Sequence, residues 1–296
     1  MTPSAAIIIP HHADLVRLER CLAALAPQLG PEIEAVVVDN APAEPLPEAL
    51  RTRFAALRFV VEPAAGAAHA RNRGVAETSA PLLVFLDCDC LPDPGWLQRA
   101  LDAARAHPGA LVGGRVSVFD ETPPPRSGAE AFEAVFAFDN RAYIERKGFS
   151  VTANLLAPRA VFERVGGFRP GLSEDLDWCR RATAAGAPLV YDDGLHVAHP
   201  SRSNWPALAR KWRRLTDEAW GLQGRGLRAR SLWALRALAM PLSALAHLPK
   251  VLRSPRLRSP REKARAAATL FRLRIARGFW MLTQAGKPVR NREKPC

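Results

Sequence analysis

AAIIIPHHADLVRLERCLAALAPQLGPEIEAVVVDN, residues 5–40, reads as a strand, a helix and a second strand. Residues 5–9 form a short run rich in β-branched side chains that ends at Pro10, the pattern of a parallel strand covered on both faces. Leu15, Leu18, Leu22, Leu25 and Leu29 then recur at helical spacing up to Gly30, and residues 33–38 give a second apolar run closed by Asp39. Outward from this βαβ unit, residues 57–61 read as a third strand, 67–78 as a helix and 82–86 as a fourth strand ending at Asp87. Alternation of this kind predicts a mostly parallel α/β sheet with helices on both faces, whose ligands bind beyond the carboxyl ends of the strands. Pro10, Asp39 and Asp87 all stand at such ends.

From residue 113 to about 200 the periodicity is less regular, with a proline-rich break at 123–125 and a helical stretch around 177–185. The expected organisation is one domain over residues 1–200 in two halves that meet at about residue 112, the second reading as an acceptor-facing half. Residues 201–296 form a separate basic extension. That boundary follows the charge: residues 1–200 carry 19 Lys and Arg against 25 acids, whereas 201–296 carry 23 against 4. A segment so basic seeks a polyanion, which charge alone does not identify.

Five cysteines without a CxxC pair argue against a disulfide framework or structural zinc, and fit a reducing cytoplasm. The amino terminus has no basic stretch before its short apolar run, so export by a signal peptide is not expected.

The segment VFLDCDCLPDPGW places Asp87 and Asp89 two residues apart behind an apolar strand, on one face if the strand continues. Carboxylates so placed can hold Mg²⁺ or Mn²⁺ and leave coordination positions for phosphate oxygens. In isolation such a pair is usually no more than solvated loop acids. Cys88 and Cys90 alternate away from the aspartates and read as small buried residues rather than soft-metal ligands.

Seven blocks together make a stronger pattern: IIIPHHADLVRLERCLAAL, VVVDNAP, AGAAHARNRG, VFLDCDCLPDPGW, ANLLAPRAVFERVGGF, SEDLDWCRRATAAG and VYDDGLHVAH. In this order, over about residues 5–200, the chain resembles the inverting family 2 glycosyltransferases of GT-A fold. The resemblance implies a sugar-nucleotide donor and a divalent metal, Mn²⁺ or Mg²⁺. It gives Pro10 and Asp39 to the nucleoside, Asp39 accepting from the base, and Arg71 to the nucleotide. Asp87 would face ribose and metal, Asp89 would bind the metal directly, and His199 would complete the metal set, with His196 ranked below it. Gly166 and Gly167 would shape the acceptor side, where a missing Cβ lets backbone approach a sugar. Glu174 and Asp175 match the family's acidic pair, Asp175 as the base that deprotonates the acceptor. A helix N-cap at Ser173 or Asp175 is the plainer reading of the same residues. His11 and His12 stand where family members often carry an aromatic residue and Asn.

The expected reaction is transfer of a hexose-like sugar to a hydroxyl of a lipid-linked or polysaccharide acceptor, in cell-envelope glycan synthesis. Two other classes fit parts of the pattern. A nucleotidyltransferase would share the acidic sheet edge, although no glycine-rich loop with a lysine follows the first strand, and a non-catalytic protein of this fold could bind membrane or nucleic acid.

In the extension, Arg236, Pro241, His247, Pro249 and Lys250 interrupt the apolar residues of 231–252, so no membrane span is expected. Between 265 and 282, Phe271, Ile275, Phe279 and Leu282 share one helical face, flanked by Arg265, Arg272 and Arg274, with Arg277 behind. That pattern suits a helix lying on an anionic membrane surface, here the inner face of the plasma membrane, or else one that packs on the protein with its arginines in water. No nucleic-acid motif accompanies it.

Overall fold

Ile7, Ile8 and Ile9 are all fully buried, Ile7 and Ile9 in one apolar cluster and Ile8 in another. The first strand is therefore covered on both faces, as its unbroken apolar run requires. At about 1.5–3 kcal/mol for each large aliphatic side chain taken from water, these isoleucines anchor both layers. The computed structural model describes residues 3–171, 173–221 and 226–286.

In chain order the first elements are β1 (Ala5–His11), α1 (Leu15–Leu25), β2 (Ile33–Asn40), α2 (Glu48–Arg53), β3 (Arg58–Glu62), α3 (Ala67–Ala76) and β4 (Leu82–Leu86). Next come β5 (Leu91–Pro92), α4 (Trp96–Ala106), β6 (Leu111–Phe119), α5 (Gly128–Phe136), α6 (Asn140–Lys147), β7 (Asn154–Pro158), α7 (Arg159–Val165), α8 (Glu174–Ala184) and β8 (Leu189–Pro200). The last are α9 (Trp205–Gly221), α10 (Leu227–Ala239), α11 (Leu242–Leu252) and α12 (Pro260–Ala285).

The sheet order is β3-β2-β1-β4-β7-β6-β8-β5. The first four strands are parallel, and β7 runs antiparallel to both β4 and β6. The mixed α/β sheet is that of a GT-A fold. Its antiparallel part is where hydrophobic periodicity was weak: β6 carries Gly113 and Gly114, and an added Cβ at Gly114 would lie 2.2 Å from both the Asn154 amide and the Leu195 carbonyl oxygen. Close backbone approach, rather than an alternating apolar face, makes those strands.

The chain forms two compact units. One comprises residues up to Ser117 with Phe138–Pro200; the other comprises Val118–Ala137 with the chain from Ser201 onward. Residues 118–137, assigned from sequence to the acceptor half, thus group with the basic extension. The reason lies in α5, whose Ala131, Phe132, Ala134 and Val135 pack with Leu208, Ala266, Leu270 and Leu273. Gly128 lets α5 approach α12, since a Cβ there would meet Thr269 Oγ1 at 2.5 Å.

Candidate functional site

The carboxyl ends of β1, β2 and β4 carry the site, and register sets it. His11 is the partner of Asp39 across the parallel β1–β2 pair. Its Nε2 accepts the Asp14 backbone N–H at 3.1 Å, so the proton sits on Nδ1, which donates to Asp39 Oδ1 at 2.9 Å. Asp39 Oδ2 is left buried with no hydrogen-bond partner in the protein. A buried acceptor without a donor is rare and marks a place where a ligand's N–H can be received. His12 instead engages the Asn40 carbonyl at 2.8 Å, and Pro10 pairs with Val38 at the mouth of the same strands.

Arg71 projects from the second turn of α3. That helix lies unusually close to β1, because Gly74 has no Cβ to strike Ile8 Cγ2, which would be 2.5 Å away. The Arg71 guanidinium is buried; Nη2 donates to Asp87 Oδ1 at 2.7 Å and Nη1 to Glu174 Oε1. Burial works against its charge, but Asp87 and Glu174 outweigh it and hold the guanidinium above its ordinary pKa. Arg71 therefore joins the end of β4 to the start of α8, reaching in Glu174 a partner 103 residues along the chain from itself.

Asp175, next to Glu174, has its pKa pushed up to about 6. Burial is the main cause, and the nearby Arg71 charge only partly offsets it. Its Oδ1 takes the Leu176 N–H at 3.0 Å. Ser173 occupies the N-cap position of α8 without a side-chain cap hydrogen bond, and Glu174 and Asp175 both stand in the first turn, where the helix dipole also favours an acid. A carboxylate that titrates near 6 can accept a proton close to neutral pH.

Asp89 and His199 form a second centre. His199 is buried, its Nδ1 donates to the Pro200 carbonyl at 2.7 Å, and its Nε2 stands 3.1 Å from Asp89 Oδ2. With the proton held on Nδ1, the Nε2 lone pair and a carboxylate oxygen face one another. A cation between them would satisfy both, and the backbone carbonyl on Nδ1 fixes the imidazole's orientation. Asp87, expected in the same set, is turned to Arg71 instead, and no group of three His, Cys, Asp or Glu side chains among the described residues encloses a metal position. His196 is occupied elsewhere, between Asp93 Oδ2 and Ser117 Oγ, both at 2.7 Å. Burial pushes the Cys88 and Cys90 thiols well above their ordinary pKa, with the charges of Asp89 and Asp87 adding to it, which disfavours thiolate ligation.

The two glycines, expected on the acceptor side, also have a local structural reason. Gly166 combines φ +79° with ψ 168°, a conformation essentially restricted to glycine. The space beside Gly167 is filled by Asn72, whose Oδ1 would be 2.6 Å from an added Cβ. Asn72 brackets Phe168 by accepting its N–H at 2.8 Å and donating to its carbonyl at 2.9 Å. The turn thus clamps α3 to the segment before α8 and steadies Arg71 opposite Glu174. Asn72 and Phe168, which lies under the Arg71 guanidinium at 5.9 Å, escaped the sequence reading, and His11 entered it only as a departure from the family pattern. Only the adjacency of Asn72 to Arg71 hinted at a role.

The model of glycosyl transferase family 2 matches residues 6–176. Glycosyltransferase AglE of Haloferax volcanii is 30% identical over 246 residues, 79% of this chain and 80% of that protein. A validoxylamine A glucosyltransferase of Streptomyces hygroscopicus subsp. limoneus is 30% identical over 224 residues, 64% of this chain but 49% of its own length. Among solved structures, the mannosyltransferase PcManGT of Pyrobaculum calidifontis, in complex with GDP-Man and Mn²⁺, superposes with a TM-score of 0.51 at 20% identity, over 97% of this chain and 74% of that one. The family match covers the segment that carries Asp39, Arg71, Asp87, Asp89 and Asp175, and on that ground the chain belongs to glycosyl transferase family 2 and is a glycosyltransferase.

Proposed function

We propose that the chain moves a sugar from a nucleoside diphosphate donor to an acceptor hydroxyl with inversion at the anomeric carbon. The observation that carries this reading is the convergence of Asp87, Glu174 and Asp175 around the buried Arg71 at the carboxyl ends of the parallel strands. Asp39 receives an N–H of the base on Oδ2. Arg71 is a buried cation held at the β4 end by Asp87, and a diphosphate competes with Asp87 and Glu174 for it. Asp175 takes the acceptor proton as the hydroxyl attacks opposite the departing diphosphate. Glu174 keeps Arg71 in place.

Asp89 and His199, with Asp87 once released from Arg71, are the residues that would hold Mn²⁺ or Mg²⁺. Such an ion neutralises charge on the leaving diphosphate. The Mn²⁺ of the mannosyltransferase complex supports a divalent ion here, and its GDP-Man supports a sugar-nucleotide donor. A lipid-linked or polysaccharide acceptor, made for the cell envelope on the cytoplasmic face of the plasma membrane, belongs to the same proposal, supported by the basic extension and by the unpaired state of the four described cysteines.

The test is a thermal-shift screen of nucleoside diphosphate sugars with and without Mn²⁺, followed by donor turnover. Specific stabilisation by one sugar nucleotide, lost in Asp39→Ala and made metal-independent in Asp89→Ala, is expected. Full turnover in Asp175→Asn would remove the base assignment.

A further inference from the structure

Thirteen large apolar side chains are exposed among the described residues, and ten of them lie between residues 227 and 282, so the exposed apolar surface belongs to the second unit. On α10 and α11 these are Leu227, Leu232, Leu235, Leu238, Leu242, Leu245 and Leu252; on α12 they are Ile275, Phe279 and Leu282. Leu235, Leu238, Leu242 and Leu245 follow one another at steps of three and four residues, which is one helical stripe carried across the break between α10 and α11. The opposite side is committed to the unit's interior through Trp233, Ala237, Ala244 and Val251. Gly278 lets α10 close onto α12, since a Cβ there would meet the Ala237 carbonyl at 2.8 Å.

The charge around the stripe has one sign. Residues 227–286 contain thirteen Lys and Arg and a single acid, Glu262, which is buried. Arg228, Arg236, Lys250 and Arg253 are exposed beside the leucines. Leucines with interleaved long cations match an anionic lipid surface, where the apolar stripe enters the acyl boundary and the cations reach the headgroups. Nucleic acid would be met by exposed aromatic platforms, and Phe279 is the only aromatic residue in the exposed apolar set.

We infer that the α10–α11 stripe, extended by Ile275, Phe279 and Leu282, docks the protein half-embedded in an anionic bilayer. No single described helix is long and apolar enough to cross a membrane. The α10–α11 pair meets that criterion only jointly and is bent by 48° at its break. With one side packed into protein and Arg236 on the other, it suits a position along the interface better than a crossing. The α12 face differs from the sequence expectation in one respect: Phe271 packs against the unit's apolar cluster, while Arg272 and Arg277 lie over the rings of Trp205 and Trp212 at 4.0 and 4.7 Å. The leucine stripe, rather than that face alone, is therefore the docking element.

The experiment floats the intact purified chain with vesicles of phosphatidylcholine alone or mixed with phosphatidylglycerol. Binding about tenfold or more tighter to the mixed vesicles, weakened by salt and released by alkaline carbonate, is expected. Leu235→Gln with Leu238→Gln and Leu242→Gln lowers vesicle binding about tenfold or more, since each loses buried apolar area. Arg228→Gln with Arg236→Gln and Arg253→Gln removes the preference for anionic lipid. Both variants melt as the parent does, because the changed side chains are exposed, and Leu15→Gln with Val16→Gln binds vesicles unchanged. The inference is overturned if the parent floats with neither vesicle, if the leucine variant floats as the parent does, or if carbonate fails to release the protein. It is equally overturned if the parent binds single-stranded RNA but no vesicle, or if the leucine variant abolishes a dimer seen without lipid.

Discussion

Glu133 in the helical unit and Asp175 in the sheet unit are both carboxylates withdrawn from water, yet their protonation equilibria move in opposite directions. Burial raises the pKa of each, but Glu133 receives the Lys211 ammonium at 2.9 Å, the Arg202 backbone N–H at 2.8 Å and the Arg202 guanidinium at 3.3 Å, and ends below its ordinary value. Asp175 has two backbone N–H groups, its own and that of Leu176, and the field of an Arg71 whose Nη groups go to Asp87 and Glu174, and it ends at about 6. The contrast separates a carboxylate that holds structure together from the one proposed to take the acceptor proton. What decides between them is where the cation's hydrogen bonds are spent, because desolvation acts on both in the same sense.

The strongest way to break this comparison is to remove each charge. Asp175→Asn is expected to lower kcat about 10²–10⁴-fold, read as donor turnover, while binding of the nucleoside diphosphate persists. Glu133→Ala should instead destabilise the protein by about 3–5 kcal/mol in chemical denaturation, since Lys211 is left buried without its counter-ion. The pair Glu133→Leu with Lys211→Met should recover most of that loss. Gly167→Ala, which forces Asn72 out of its bracket around Phe168, is expected to cost about 1–3 kcal/mol and to lower turnover by loosening Arg71.

The pH dependence sharpens the comparison further. Turnover should fall about tenfold per pH unit below about 6 as Asp175 is protonated, and Asp175→Asn should lack that limb. For stability the two acids pull in opposite directions. Asp175, whose folded pKa is raised from 3.8 to about 6, contributes stability below pH 4 that is lost as pH rises through about 6. Glu133, lowered from 4.5, contributes stability above that value that is lost as pH falls through its folded pKa. The remaining effect is a gain: Asp175→Asn should stabilise the protein near pH 7 by up to about 3 kcal/mol, read as a rise in Tm.

The parallel half of the sheet could be read from residues alone, because a strand buried on both faces must be apolar throughout. Strand β4 begins and ends at the residues expected of it, and β1, β2 and α3 deviate only at their ends. Asp39 and Asp87 were visible for the same reason, since a charge that stops such a run must stand at the strand's end. The strands β6 to β8 were obscure because glycine and asparagine shape them through close backbone contacts, and those leave no periodic trace.

Sequence by itself determined the βαβ order, the position of the acidic residues along the chain, the family and the segregation of basic charge into the last third. Each of these follows from residue type at local spacing. Only the tertiary structure decided that Arg71 spans Asp87 and Glu174, that His11 leaves a single Asp39 oxygen free, and that Gly167 makes room for Asn72. It also decided that α5 packs with the basic helices and that Phe271 turns inward while the leucines of α10 and α11 remain outside. Those outcomes depend on residues brought together from distant parts of the chain, where burial and the direction of each hydrogen bond, rather than spacing, set what a side chain can do.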